Sequence, residues 1–224
     1  SFHFSTIWKA IMPRFVLKQI LSTMKNTIKV PTLLQEVHGE IANIRDIVLA
    51  HGLAIVSTAI VLILGSEGMA LWQQILLGIL TYDLVGGVVA NFSYSTSSFY
   101  AASAKKRRGF LLLHLLQPTL LTLVFTDHWL IILTVCSYIL ISSTVINAMK
   151  SGNRQVMTGA FLSVAGICLL QLPNFEMVST LQFLLVVFLL KLPLAWAVRW
   201  YELSNPKYNN YENCISCWSN GLLG

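Results

Sequence analysis

Apolar and polar residues fall along this chain in long alternating blocks. Six apolar stretches, each near the roughly 20 residues a helix needs to cross a bilayer core, are separated by short polar connectors. They cover residues 47–64, 69–91, 110–126, 129–149, 156–172 and 177–198. Breakers punctuate them: Gly65-Ser66-Glu67-Gly68 after the first, Asp127-His128 after the third, and Pro173-Asn174 after the fifth. The pattern predicts an all-α integral membrane protein, a six-transmembrane-helix bundle.

The first 45 residues follow a different rule. Phe4, Ile7, Trp8, Ile11 and Phe15 recur at helical spacing, Lys9, Arg14 and Lys18 interleave with them, and Pro13 bends the segment. This is the pattern of a basic amphipathic helix lying at a membrane interface near anionic headgroups; a helix that binds a protein partner is the alternative. Residues 33–46 are more polar, carrying Glu36, His38, Glu40, Arg45 and Asp46, and read as a second helix leading into the first span. The chain thus divides into a leader (1–45), a six-span membrane domain (46–200) and a C-terminal tail (201–224). No uninterrupted apolar core of the secretory-signal kind occurs in the first 30 residues.

Composition supports this division. Of 224 residues, 55% are hydrophobic and only 11% charged, against about 25% charged in an average soluble domain. The net charge of +6 would suggest nucleic acid in a soluble protein, but here the basic residues lie between apolar blocks. One set of connectors holds Arg45, then Lys105, Lys106, Arg107 and Arg108, then Lys150 with Arg154, then Arg199 with Lys207; the other holds Glu67, Asp127 with His128, and Glu176. The positive-inside rule places the first set, and both termini, in the cytosol. Asn91-Phe92-Ser93 matches a glycosylation acceptor but falls on that same side. No internal repeat of the inverted-transporter kind emerges.

Four ionisable residues fall inside the expected spans: His51, Asp83, His114 and Lys191. Such residues are costly in a bilayer and mark functional interiors. Counting about 1.5 Å per residue from the cytosolic ends, His51 and His114 lie about 8 Å deep and Asp83 and Lys191 about 12 Å deep, nearly one layer. Asp83 shares a stripe with Gly87, with Asn91 beside it, and His114 shares a face with Gln117 just before Pro118. A structural reading makes this layer an ion pair that holds helices in register. A catalytic reading makes Asp83 the general acid or base, with His114 and His51 as relay or electrophilic partners. Lys191 would then anchor the substrate electrostatically, while Tyr82, Gly87, Asn91 and Gln117 would bind and orient it. Haem ligation by His51 and His114, or a divalent metal held by His51, Asp83 and His114, lacks any close-spaced motif, so no cofactor is assigned.

The segment from Phe92 to Tyr100, dense in hydroxyls and closed by Lys105, Lys106, Arg107 and Arg108, suits an anionic headgroup as well as a solvated loop. Cys136 and Cys168 fall in spans, where Cys is ordinarily a small hydrophobe. Cys214-x-x-Cys217 in the tail supplies half a zinc site. The leading expectation is an acid–base membrane enzyme acting on a lipid-soluble or amphiphilic substrate. A proton- or cation-coupled carrier is the alternative, and a non-catalytic immunity, assembly or sensor subunit the third class.

Overall fold

The computed structural model describes residues 26–172 and 177–200. The amphipathic stretch over 1–25, Cys214 and Cys217 lie outside the described residues.

The described part opens with a small hairpin instead of the helix expected over 33–46. Strand β1 (Thr27–Lys29) pairs antiparallel with β2 (Ile41–Asn43), Ile28 opposite Ala42. A 3-10 turn (Thr32–Leu34) and the single-turn helix α1 (Gln35–His38) fill the loop between them. Gly39 ends α1 at φ 74° and ψ −178°, a backbone region essentially closed to other residues. That turn reverses the chain and lets Ile41–Asn43 return to β1, so the polar periodicity that reads as helix is overridden by one glycine.

Asn43 then caps α2 (Ile44–Gly65), its Oδ1 accepting from the Arg45 N–H at 2.9 Å. Helix α3 (Leu71–Phe92) follows and packs along α2. The contact is close because Gly86 faces Ala54, where an added Cβ would lie 3.3 Å from the Ala54 methyl. Small residues facing each other permit this approach between membrane helices. The hydroxyl-rich segment forms a helix too: α4 (Tyr94–Ala101), capped by Ser93. The basic run lies inside α5 (Ala104–Leu113), which begins one and a half turns before the expected third span.

Two of the apolar stretches are interrupted, each one turn ahead of a proline. Pro118 has no N–H for the His114 carbonyl and crowds it, so the third apolar stretch divides into α5 and α6 (Leu116–Val124) with His114 at the break. The Gln117 N–H turns to that carbonyl at 3.3 Å. After α7 (Trp129–Ala148) and α8 (Asn153–Leu169) comes α9 (Ser179–Leu189), which widens into a π-helical segment over Leu190–Trp196 around Pro193. Pro193 has no N–H to give the Leu189 carbonyl, and the Ser163 hydroxyl donates to that carbonyl at 3.3 Å.

Helix α3 is central, touching α2, α6, α9 and the π-helical segment. Leu77, Leu80 and Leu84 of α3, Ile132, Ile139 and Ile146 of α7, and Leu181, Leu184, Leu185 and Phe188 of α9 form the core. Among the described residues, four helices are long and apolar enough to cross a membrane: Ile44–Gly65, Leu71–Phe92, Thr126–Ala148 and Ser179–Trp196. The interrupted third stretch, and α8 with its 17 residues, fall short of that length. Helix α2 presents Val48, Leu53, Val56, Ile60 and Ile63 outward, an apolar surface far larger than a water-facing helix carries.

Candidate functional site

The expected layer resolves into two clusters that share no residue. In the first, Lys191 is 2% exposed and its Nζ donates to Asp83 Oδ2 at 2.7 Å and to the Asp83 backbone carbonyl at 3.2 Å. Gly87, one turn along α3, leaves the slot the lysine stem occupies; an added Cβ would stand 2.4 Å from Lys191 Cε. The Asp83 side chain is 53% exposed, so the pair has a buried cationic end and an open anionic end. The same Oδ2 accepts from Gln117 Nε2 at 2.7 Å.

Asp83, His114 and Gln117 line one cavity of about 190 Å³, closed by Ile79, Leu80, Leu113, Leu116 and Leu120. It lies between α3 and the broken third stretch and opens sideways. His114 is 4% exposed. Its Nδ1 faces the Phe110 carbonyl at 2.8 Å; a carbonyl only accepts, so Nδ1 carries the proton and Nε2 of the neutral ring is left as an acceptor. That Nε2 is buried with no donor near it. Gln117 Oε1 is buried and unpartnered as well. Reversing the amide would set its oxygen against the Asp83 carboxylate, so the orientation is determined by charge.

The second cluster holds His51 and Tyr82, and this corrects their expected place beside Asp83. Nε2 of His51 lies 2.9 Å from Nε2 of His38, and its Nδ1 lies 2.5 Å from the Tyr82 hydroxyl. The reason is rotation: successive residues of a helix point about 100° apart, so Tyr82 faces α2 while Asp83 faces α6. His38, on α1, is 4% exposed, and burial first, then the charge of His51, lowers its pKa below 6.5. Nothing in the spacing of the chain singled His38 out. His51 and His114 thus have different partners, and the described residues contain no group of three side chains suited to a metal ion. Asn91 is buried, but it does not line the Asp83 cavity.

The hydroxyl segment and basic run are used internally. Thr96 donates to the Val37 carbonyl at 2.8 Å and Tyr100 to the Glu36 carbonyl at 2.7 Å, so α4 holds the leader hairpin. Burial, reinforced by the neighbouring Glu36 carboxylate, pushes the Tyr100 hydroxyl pKa well up. Arg107, expected at a headgroup, is turned inward. Its Nε donates to Asn147 Oδ1 at 2.5 Å, its Nη2 to the carbonyls of Trp196 and Ala197 at 3.2 and 3.1 Å, and it stacks over the Trp196 ring. Those carbonyls end the π-helical segment, where a cation is favourable. Lys105 and Arg108 remain on the surface.

Fold and site together define a predominantly helical protein whose apolar helices suit a membrane, with a half-buried ion pair beside a lateral cavity. Set against protein-family models, curated proteins and solved structures, the chain matches none.

Proposed function

We propose that this protein is a six-span membrane enzyme that carries out acid–base chemistry on a lipid-soluble or amphiphilic substrate. Its cavity opens toward the cytosolic half of the bilayer, and both termini lie in the cytosol. His114 Nε2 is the proton acceptor, Asp83 the second acid–base group, Lys191 its charge partner, and Gln117 orients the substrate. The carrying observation is an unpartnered, buried imidazole nitrogen on a histidine that lines a cavity together with Asp83, Gln117 and aliphatic side chains. Leaving such an atom unsatisfied costs about 1–3 kcal/mol, a cost that binding of a donor-bearing substrate would recover. The lateral opening admits a molecule already dissolved in the bilayer. The alternation of basic connectors supports the six-span topology, with the interrupted stretch and α8 as the two shorter spans.

A coupled carrier is the second reading, and one observation favours it: both interrupted helices, at His114 and at Lys191, meet Asp83. Interrupted helices recur at transporter sites, and π-helical turns at functional sites generally. The purified protein in nanodiscs, incubated with a total lipid extract, separates the two. The enzyme reading expects a change in lipid masses by mass spectrometry that His114→Asn abolishes. Asn retains the donor to Phe110 and removes Nε2. Unchanged lipids together with proton-driven solute uptake in proteoliposomes would establish the carrier instead.

A further inference from the structure

The cavity's polar inventory points to a substrate class, an inference that rests on the enzyme reading for its use but not for its test. Three polar side chains line the cavity, and acceptors outnumber donors among their available atoms. His114 offers Nε2, because Phe110 fixes the ring proton on Nδ1. Gln117 offers Oε1, one of its two amide N–H groups being drawn to Asp83 and the other left as a single donor. Asp83 offers carboxylate oxygens and, if ionised, nothing else. A ligand that only accepts hydrogen bonds, such as an ester carbonyl, could use that one N–H but would leave His114 Nε2 and Gln117 Oε1 without a donor.

Charge narrows the choice further. The Asp83 carboxylate is already matched by the Lys191 ammonium at 2.7 Å, so the pair is neutral as a unit. An ammonium ligand would add an uncompensated charge beside a buried lysine, and a carboxylate or phosphate would meet Asp83 and two further lone pairs. Both would lose their hydration on entering aliphatic walls without a counter-ion in return. A neutral donor incurs neither cost. The walls themselves, Ile79, Leu80, Leu113, Leu116 and Leu120, suit a hydrocarbon chain entering from the side.

We propose that the cavity between α3 and the broken third span binds the hydroxyl group of an aliphatic alcohol, which donates its hydrogen bond to His114 Nε2. The orphaned acceptors of His114 and Gln117 and the charge balance of the Asp83–Lys191 pair carry this reading. The hydroxyl head fits a cavity of about 190 Å³, while the chain trails through the lateral opening into the bilayer.

The test uses the full chain, with ¹⁵N-labelled histidine, in nanodiscs of phosphatidylcholine, a lipid with no hydroxyl of its own. His114 is assigned by the resonance that His114→Asn removes. Four probes of equal chain length are added in turn: 1-dodecanol, dodecane, dodecylammonium and dodecanoate. The expected result is an upfield, saturable shift of the unprotonated His114 nitrogen with dodecanol alone. Leu116→Trp, a change at a half-exposed wall position that fills the cavity from outside, should abolish the shift without removing the histidine signal. No shift with dodecanol, an equal shift with dodecylammonium or dodecane, or a dodecanol shift that survives Leu116→Trp, each overturns the proposal. A dodecanol shift in a protein that changes no lipid would leave the alcohol site standing and remove the enzyme reading.

Discussion

Tyr82 and Asp83 are neighbours in the chain, yet they serve two polar clusters that solve burial in opposite ways. Around Tyr82 the groups satisfy one another: phenol to His51, His51 to His38, in a line that ends in the leader hairpin. Around Asp83 the satisfaction is incomplete. The ion pair is bonded, but His114 Nε2 and Gln117 Oε1 are left over beside a cavity. A cluster that closes on itself is what a joint between elements needs. A cluster with buried acceptors to spare is what a binding site needs, because only a ligand completes it. The first cluster joins the leader hairpin to the helices, and the second is the one to which the proposed function gives the role of a site.

Adjacent substitutions give the largest contrast. Asp83→Asn removes the counter-charge of Lys191, which has no other carboxylate bonded to it among the described residues. Breaking a buried pair costs about 3–5 kcal/mol; with Asp83 half-exposed and its backbone carbonyl still accepting from Nζ, the loss should fall at or below the lower end. Tyr82→Phe removes one hydrogen bond at an exposed position and should cost no more than about 1.5 kcal/mol. Thermal unfolding in detergent should rank them in that order. Adding Lys191→Met to Asp83→Asn should restore much of the loss. Equal destabilisation by Tyr82→Phe would place the two clusters on the same footing and remove the distinction.

A methyl group sharpens it next. Gly87→Ala places a Cβ against the end of the Lys191 side chain, 2.4 Å from Cε, so the ammonium must shift. Overpacking of this kind costs about 1–3 kcal/mol, and it should pull Nζ away from Asp83. Gly39→Ala acts on the other cluster. It is strained at φ 74°, and its Cβ would stand 2.3 Å from the Ser95 backbone oxygen, so the turn that delivers His38 must open. Proteolysis or hydrogen exchange should then rise across residues 26–43, while the transition of the helical bundle stays near its original temperature. Lowered bundle stability with an undisturbed leader would reverse the assignment of the two glycines.

Much of this arrangement could be read before any coordinates. Block hydropathy marks where each apolar helix runs, and residue counting puts Asp83 and Lys191 at one depth, where they do bond. Depth follows from rise per residue and needs no partner. What the sequence cannot supply is which neighbour each face meets. His51 and His114 were equally deep, yet one faces α1 and the other the Asp83 cavity. The prolines gave a partial signal: Pro118 predicts a freed carbonyl at His114, and the interruption is there. Pro193 acts likewise, but the widening to a π-helical turn and the use of Ser163 depend on the packing of α8. Arg107 looked like its neighbours Lys106 and Arg108 in a basic run; only the helix that carries them turns it toward Trp196 and Ala197. Residues 33–46 do not form the expected helix because a single glycine in an unusual backbone conformation outweighs a helical polar pattern.

The smallest effect, and the finest separation of the clusters, is in pH. Folding holds the His38 pKa below its ordinary 6.5, burial being the main cause and the His51 charge the second. The unfolded or undocked leader therefore binds more protons than the docked one as pH falls below about 6.5, and stability must fall in the same direction. Docking is fully retained above that pH and weakens progressively beneath it. Protonation of both imidazoles would also leave two N–H groups facing each other across 2.9 Å, whereas the Tyr82 hydroxyl can reverse and accept. The Thr96 and Tyr100 bonds to the leader do not change in this range, since one hydroxyl does not titrate and the other is pushed further up. The loss should thus be a graded rise in hydrogen exchange of residues 26–43 between pH 7.5 and 5.5, not release of the leader. His38→Gln keeps a hydrogen-bonding group near Nε2 without a titrating ring, and should flatten that dependence while leaving the exchange of residues 79–92 unchanged. A dependence that persists in His38→Gln would move the titration to another group and detach the histidine pair from the seating of the leader.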